Sequence, residues 1–146
     1  MSFDLAVIGL GGIGSSVLNY STKIGLNVIG IDQFSPPHNY GSSHGETRAF
    51  RQAYFEHENY VPMLKEAYSM WKKFALNSKK DIFYETGVLV LGKPDGNLIS
   101  GMKKSSGLHD ISIDKISFSK LSHKYPYFNV PKNFEAILEK KAGTLF

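Results

Sequence analysis

The chain has 146 residues, a net charge of +4, and apolar and aromatic fractions of 42% and 13%. That is enough for one ordinary hydrophobic core, and it excludes a disordered polymer. With no cysteine, disulfides and thiolate metal sites are excluded; with scattered lysines there is no basic track for nucleic acid.

The chain opens on "MSFDLAVIGLGGIGSSV", apolar but without a basic leader, broken by Asp4 and too short and glycine-rich to span a bilayer. A soluble cytoplasmic protein, bound to neither membrane nor nucleic acid, is the expectation. "FDLAVIGLG" has the pattern of a strand buried on both faces. Ile13, Val17, Tyr20 and Ile24 recur at helical spacing and predict a helix, with Gly25 as its stop. "LNVIGID" predicts a second buried strand closing at Asp32, which completes a βαβ unit.

"QFSPPHNYGSS" is a loop by its prolines, glycine and serines. Ser43 and Glu46 fit a Ser-x-x-Glu capping box and predict a helix over 44–54. A helix over 61–76 follows, with Leu64, Ala67, Tyr68, Trp71 and Ala75 on its apolar face. "IFYETGVLVLG" predicts two short strands around Thr86-Gly87, ended by a Pro-Asp-Gly turn. Residues 97–106 are expected to be helical, "FSKLSHKYPYF" predicts a short helix stopping before Pro126, and "EAILEK" a strand.

Within "GLGGIG", Gly9, Gly11 and Gly14 form G-x-G-x-x-G, with Gly12 and Ile13 between them. The first glycine permits the tight turn, the second lets a pyrophosphate approach the backbone, and the third lets helix and strand pack closely. The helix N-terminus adds N–H groups and partial positive charge. Asp32, eighteen residues beyond Gly14, is placed to accept hydrogen bonds from ribose hydroxyls. The motif points to a dinucleotide without separating FAD from NAD, and the acid argues against NADP, whose 2′-phosphate it would repel.

On a helix starting at Ser43, Arg48 and Arg51 fall on one face, with His44 at the mouth of the turn. Positive charge near a helix start is unfavourable unless an anion answers it. Solvated arginines paired with Glu56 or Glu58 would satisfy the pattern. So would an anionic ligand such as a carboxylate, held by a guanidinium fork.

Read together, "DLAVIGLGGIGSSV", "DQFSPPHNYGSSHGETRAFRQAY", "YVPMLKEAYSMW", "FYETGVLVLG" and "AILEKKAGTLF" resemble the monomeric sarcosine oxidase and N-methyltryptophan oxidase family. The resemblance implies an α/β fold: a Rossmann-like FAD-binding βαβ unit followed by the beginning of a mixed α+β substrate domain. Residues 1–80 would form the FAD-binding segment and 81–146 the start of the substrate part. It implies that Gly9, Gly11, Gly12, Ile13, Gly14, Asp32 and Ser43 hold FAD. His44 and Arg48 would lie beside the flavin as catalytic groups, and Arg51 would grip the substrate carboxylate. Family members oxidise the C–N bond of N-methyl or cyclic secondary amino acids, and oxygen reoxidises the flavin to give hydrogen peroxide. "SSHGETR" here stands where the family commonly has "SHHGDTR". Family members are more than twice as long and attach FAD through a later cysteine. The expectation is therefore an N-terminal piece, inactive alone and weakly stable, completed by a C-terminal polypeptide. A stand-alone nucleotide-binding module and an NAD-linked dehydrogenase domain are the alternatives.

Overall fold

A computed structural model describes residues 2–146. The chain divides into two compact units, one running to Glu46 and the other from Thr47 to Phe146.

In the first unit, strand β1 (Leu5–Ile8), helix α1 (Gly12–Lys23) and strand β2 (Val28–Ile31) form the expected βαβ unit. The strands pair in parallel, from Leu5 opposite Val28 to Ile8 opposite Ile31. The stop at Gly25 is as expected: it takes φ +89°, its N–H donates to the Thr22 carbonyl, and the Leu26 N–H reaches back to Ser21. These two bonds make a Schellman cap, which favours glycine because the conformation is left-handed. Two expectations need correction. The two strands are not buried on both faces: in β1 only Val7 is buried and Ile8 is 84% exposed, and β2 has no buried residue. Nor is the Ile13–Ile24 stripe the packed face of α1, since Ile13 is 84% and Tyr20 61% exposed. The helix instead sets Gly14, Leu18 and Ser21 towards the two-stranded sheet, where Leu10 and Leu18 close over Gly30. A helix apolar on two sides is suited to burial on both, and a two-stranded sheet covers one.

The second unit is antiparallel. Strand β3 (Arg48–Phe50) leads through a short 3₁₀ turn (Glu58–Tyr60) to helix α2 (Val61–Ser78). Strands β4 (Phe83–Tyr84) and β5 (Val88–Gly92), helix α3 (Asn97–His109), strand β6 (Ile113–Ile116), helix α4 (Phe118–Lys124), and strands β7 (Glu135–Glu139) and β8 (Gly143–Leu145) follow. One sheet has the order β3-β8-β4 and the other β5-β7-β6. The core gathers Ala53, Val61, Ile99, Met102, Ile111 and Ile137. The predicted face of α2 is the inner one: Leu64, Ala67, Tyr68, Trp71 and Ala75 are all half-buried.

The helix expected over 44–54 is absent; that segment is irregular chain followed by β3. Gly45 sits at φ +119°, outside the helical region, and Arg48, Ala49 and Phe50 pair with Leu145, Thr144 and Gly143 of β8. A distant strand has outweighed the local capping signal.

Candidate functional site

The glycine turn is built by close approach. Gly9, at φ +87°, carries the chain out of β1, and its N–H donates to the Ile31 carbonyl at 2.7 Å. A Cβ on Gly14 would lie 1.8 Å from the Gly9 carbonyl oxygen, so no larger residue fits the contact between helix and strand. Gly11 and Gly12 would meet only the Ser43 side chain, at 3.4 and 3.0 Å. The outer face of the turn is therefore open to a ligand's approach.

Ser43 reaches this turn without capping a helix of its own. Its Oγ accepts from the Gly12 N–H at 2.9 Å, satisfying one of the donors that a helix start leaves over. One N–H that sequence reasoning offers to a phosphate is thus already answered.

Asp32 follows β2 and closes the turn from the other strand. Its Oδ2 accepts from the Leu10 N–H at 2.6 Å, and its Oδ1 from the Phe34 N–H at 3.0 Å. His38 Nε2 stands 3.4 Å from Oδ1. The Phe34 and Leu10 amides, with a smaller contribution from His38, hold the Asp32 carboxyl below its ordinary range. The acid is thus ionised at neutral pH and fixed in direction. His38 is a contributor that sequence reasoning missed; only its place six residues on, in the loop, could have suggested it.

His44, in the first unit, directs its Nδ1 to the Gly41 carbonyl. In the second unit Arg48 donates from NH1 to the Thr47 carbonyl at 2.8 Å. Arg51 follows the end of β3, so the two arginines do not share a helix face. Arg51 already holds a carboxylate: its NH2 lies 2.8 Å from Glu56 Oε1. Its guanidinium stacks over Tyr54 and Phe55, at 4.7 and 5.3 Å from the ring centroids. Its Nε is buried with no hydrogen-bond partner among the described residues. The Glu56 pairing that the sequence left open is therefore present.

The two peptide groups after Arg51 meet an acid that sequence reasoning passed over. Glu139, at the end of β7, has 0% exposure, and its two oxygens accept from the N–H groups of Gln52 (2.6 Å) and Ala53 (3.1 Å). Burial pushes this carboxyl up from its ordinary range, against the two amides and the charge of Arg51. A signal was present: in "EAILE", Glu139 alternates in phase with the core residue Ile137.

Comparison with known proteins decides the family. The family model described as "FAD dependent oxidoreductase" (DAO) matches residues 4–145. The chain belongs to the DAO family of FAD-dependent oxidoreductases. N-methyl-L-tryptophan oxidases of Yersinia pestis (strain Pestoides F) and Yersinia pseudotuberculosis (serotype O:1b, strain IP 31758) are each 37% identical to it over 145 residues. The match covers 99% of this chain and 39% of each relative's length. Among solved structures, NikD, an unusual amino acid oxidase essential for nikkomycin biosynthesis, superposes with TM-score 0.80 at 19% identity, over 98% of this chain and 37% of NikD. Glycine oxidase from Bacillus cereus ATCC 14579 does so with TM-score 0.73 at 18% identity, over 99% of this chain and 40% of the enzyme. These two likenesses speak for the fold. FAD is the family's cofactor, and an open glycine turn facing an ionised acid fits a diphosphate joined to a ribose. Among the described residues no helix is long and apolar enough to cross a membrane, and no cluster of acids and histidines could hold a metal ion.

Proposed function

We propose that this chain is the N-terminal, FAD-binding portion of an oxidase acting on the C–N bond of N-methyl or cyclic secondary amino acids. Oxygen is the electron acceptor and hydrogen peroxide the product. The substrate class rests on the 37% identity to N-methyl-L-tryptophan oxidases along 99% of the chain. Residues 1–80 serve the cofactor and residues 81–146 begin the substrate-binding part. The chain spans 39% of the relatives' length; on this reading it is inactive alone, with the remaining contacts supplied by a C-terminal polypeptide. When bound, FAD supplies the acceptor for the electrons of the C–N bond.

We assign the residues as follows. Gly9 turns the chain out of β1 and Gly14 lets α1 pack against it, so that Gly11, Gly12 and Ile13 line the approach of the pyrophosphate with the Gly12 N–H already held by Ser43, and Asp32 accepts from ribose hydroxyls. Ser43 holds the first N–H of α1 and so fixes the turn's outline. His44 and Arg48 are assigned to the surroundings of the flavin ring. Arg51 takes the substrate carboxylate in place of Glu56. Glu56 uses only NH2 and leaves Nε unpartnered, so a ligand carboxylate bound side-on to both nitrogens gains a second charge-assisted bond.

The observation that carries the cofactor assignment is the helix–strand contact at Gly14, too close to admit any Cβ, beside an ionised Asp32. The test is a titration of the 146-residue chain with FAD, followed by flavin fluorescence, with NADH as competitor. FAD should bind, NADH should fail to displace it, and Gly11→Val should weaken FAD at least about tenfold by blocking the pyrophosphate. Tighter binding of NADH than of FAD would replace this reading with a dehydrogenase domain.

A further inference from the structure

The most costly group in the second unit is Glu139, an acid with no exposed surface whose neighbours on the same sheet face include the core residue Ile137. An apolar residue would satisfy that face, and burying a carboxylate is unfavourable unless its oxygens are answered. They are answered by two successive backbone N–H groups, those of Gln52 and Ala53, 87 and 86 residues away in sequence. These are the two peptide groups directly after Arg51. The Gln52 side chain adds a second tie, from Nε2 to the Lys141 carbonyl at 2.8 Å. Of the side chains around the carboxylate, Arg51 is the charged one acting on it.

We propose that Glu139 is a positioning residue for Arg51. Its carboxylate clamps the two peptide groups that follow Arg51 and so fixes the backbone from which the guanidinium fork is presented. A neutral amide cannot replace it, because its NH2 would face one of the two N–H donors. The inference rests on the reading of Arg51 as an anion-binding group and adds the residue that holds it in place.

The test is nitrogen-15 NMR on the full 146-residue chain, with acetate as the carboxylate probe. In the wild type, the Gln52 and Ala53 amide signals and the Arg51 Nε signal should move together in one pH titration. Acetate should shift Arg51 Nε. In Glu139→Gln the common titration should vanish, and the Arg51 Nε response should require roughly tenfold more acetate. An Arg51 Nε signal and acetate response identical in wild type and variant, with Gln52 and Ala53 altered, would reduce Glu139 to a structural residue and overturn the proposal. Random-coil positions for Gln52 and Ala53 in the wild type, which needs no variant, would overturn it as well. If Arg51 Nε follows Glu139 but ignores acetate, the clamp stands and the anion-binding reading fails.

Discussion

Helices α1 and α2 carry equally plain apolar stripes, yet only α2 packs on the one its sequence shows. The half-buried row of α2 lies in a unit that also supplies Val61, Ile99 and Ile137 as a core. The stripe of α1 is exposed, and what packs instead is Gly14, Leu18 and Ser21. Periodicity reports that a face is apolar; which face is covered depends on the partners available. In a dinucleotide-type unit the decisive inner contacts belong to glycines, which a hydrophobic pattern does not register.

This contrast can be broken by substitution. The largest effect should come from Gly14→Ala, whose Cβ would lie 1.8 Å from the Gly9 carbonyl oxygen. Chemical denaturation should show a loss of about 3 kcal/mol or more, together with loss of FAD binding. Next, Ile137→Ala in the core should cost about 3 kcal/mol, whereas Ile13→Ala on the exposed stripe should change stability by less than about 0.5 kcal/mol. Equal losses at the two isoleucines would show that α1 is covered in solution and erase the distinction.

The smallest effect concerns pH and separates the carboxyls by their surroundings. Asp32 is lowered by the Phe34 and Leu10 amides, Glu85 by Tyr68 and Lys72, and Glu135 by Lys103 and Lys115. A lowered folded value means stability that is present above the ordinary values of 3.8 and 4.5 and is lost as pH falls through the folded ones. Glu139 runs the other way: burial raises it. The folded chain then binds the proton more tightly, and stability declines as pH climbs from 4.5 through the folded value. Denaturation midpoints measured against pH should therefore rise out of the acid range and then dip, and Glu139→Gln should remove the dip.

Much of the fold was legible in local sequence. The βαβ unit, the Gly25 stop, α2, α3, α4 and β7 are each announced by a run of residues or a terminator. The three-residue strands "RAF" and "GTL" are not, because neither is long enough to show alternation and both are defined by pairing with distant chain. That pairing also removed the expected arginine helix. The site divides in the same way. The glycines and Asp32 declare themselves within one supersecondary unit, whereas Glu139 acts on Gln52 and Ala53 across most of the chain.

The pairing of β3 with β8 joins Arg48 to Leu145, nearly the first and last residues of the second unit. On a ribosome, Arg48–Phe50 must wait for β8 to emerge before it has a strand to pair with, and long closures of this kind slow folding. Ordering of the strand that carries Arg48 is thereby tied to translation through residue 145.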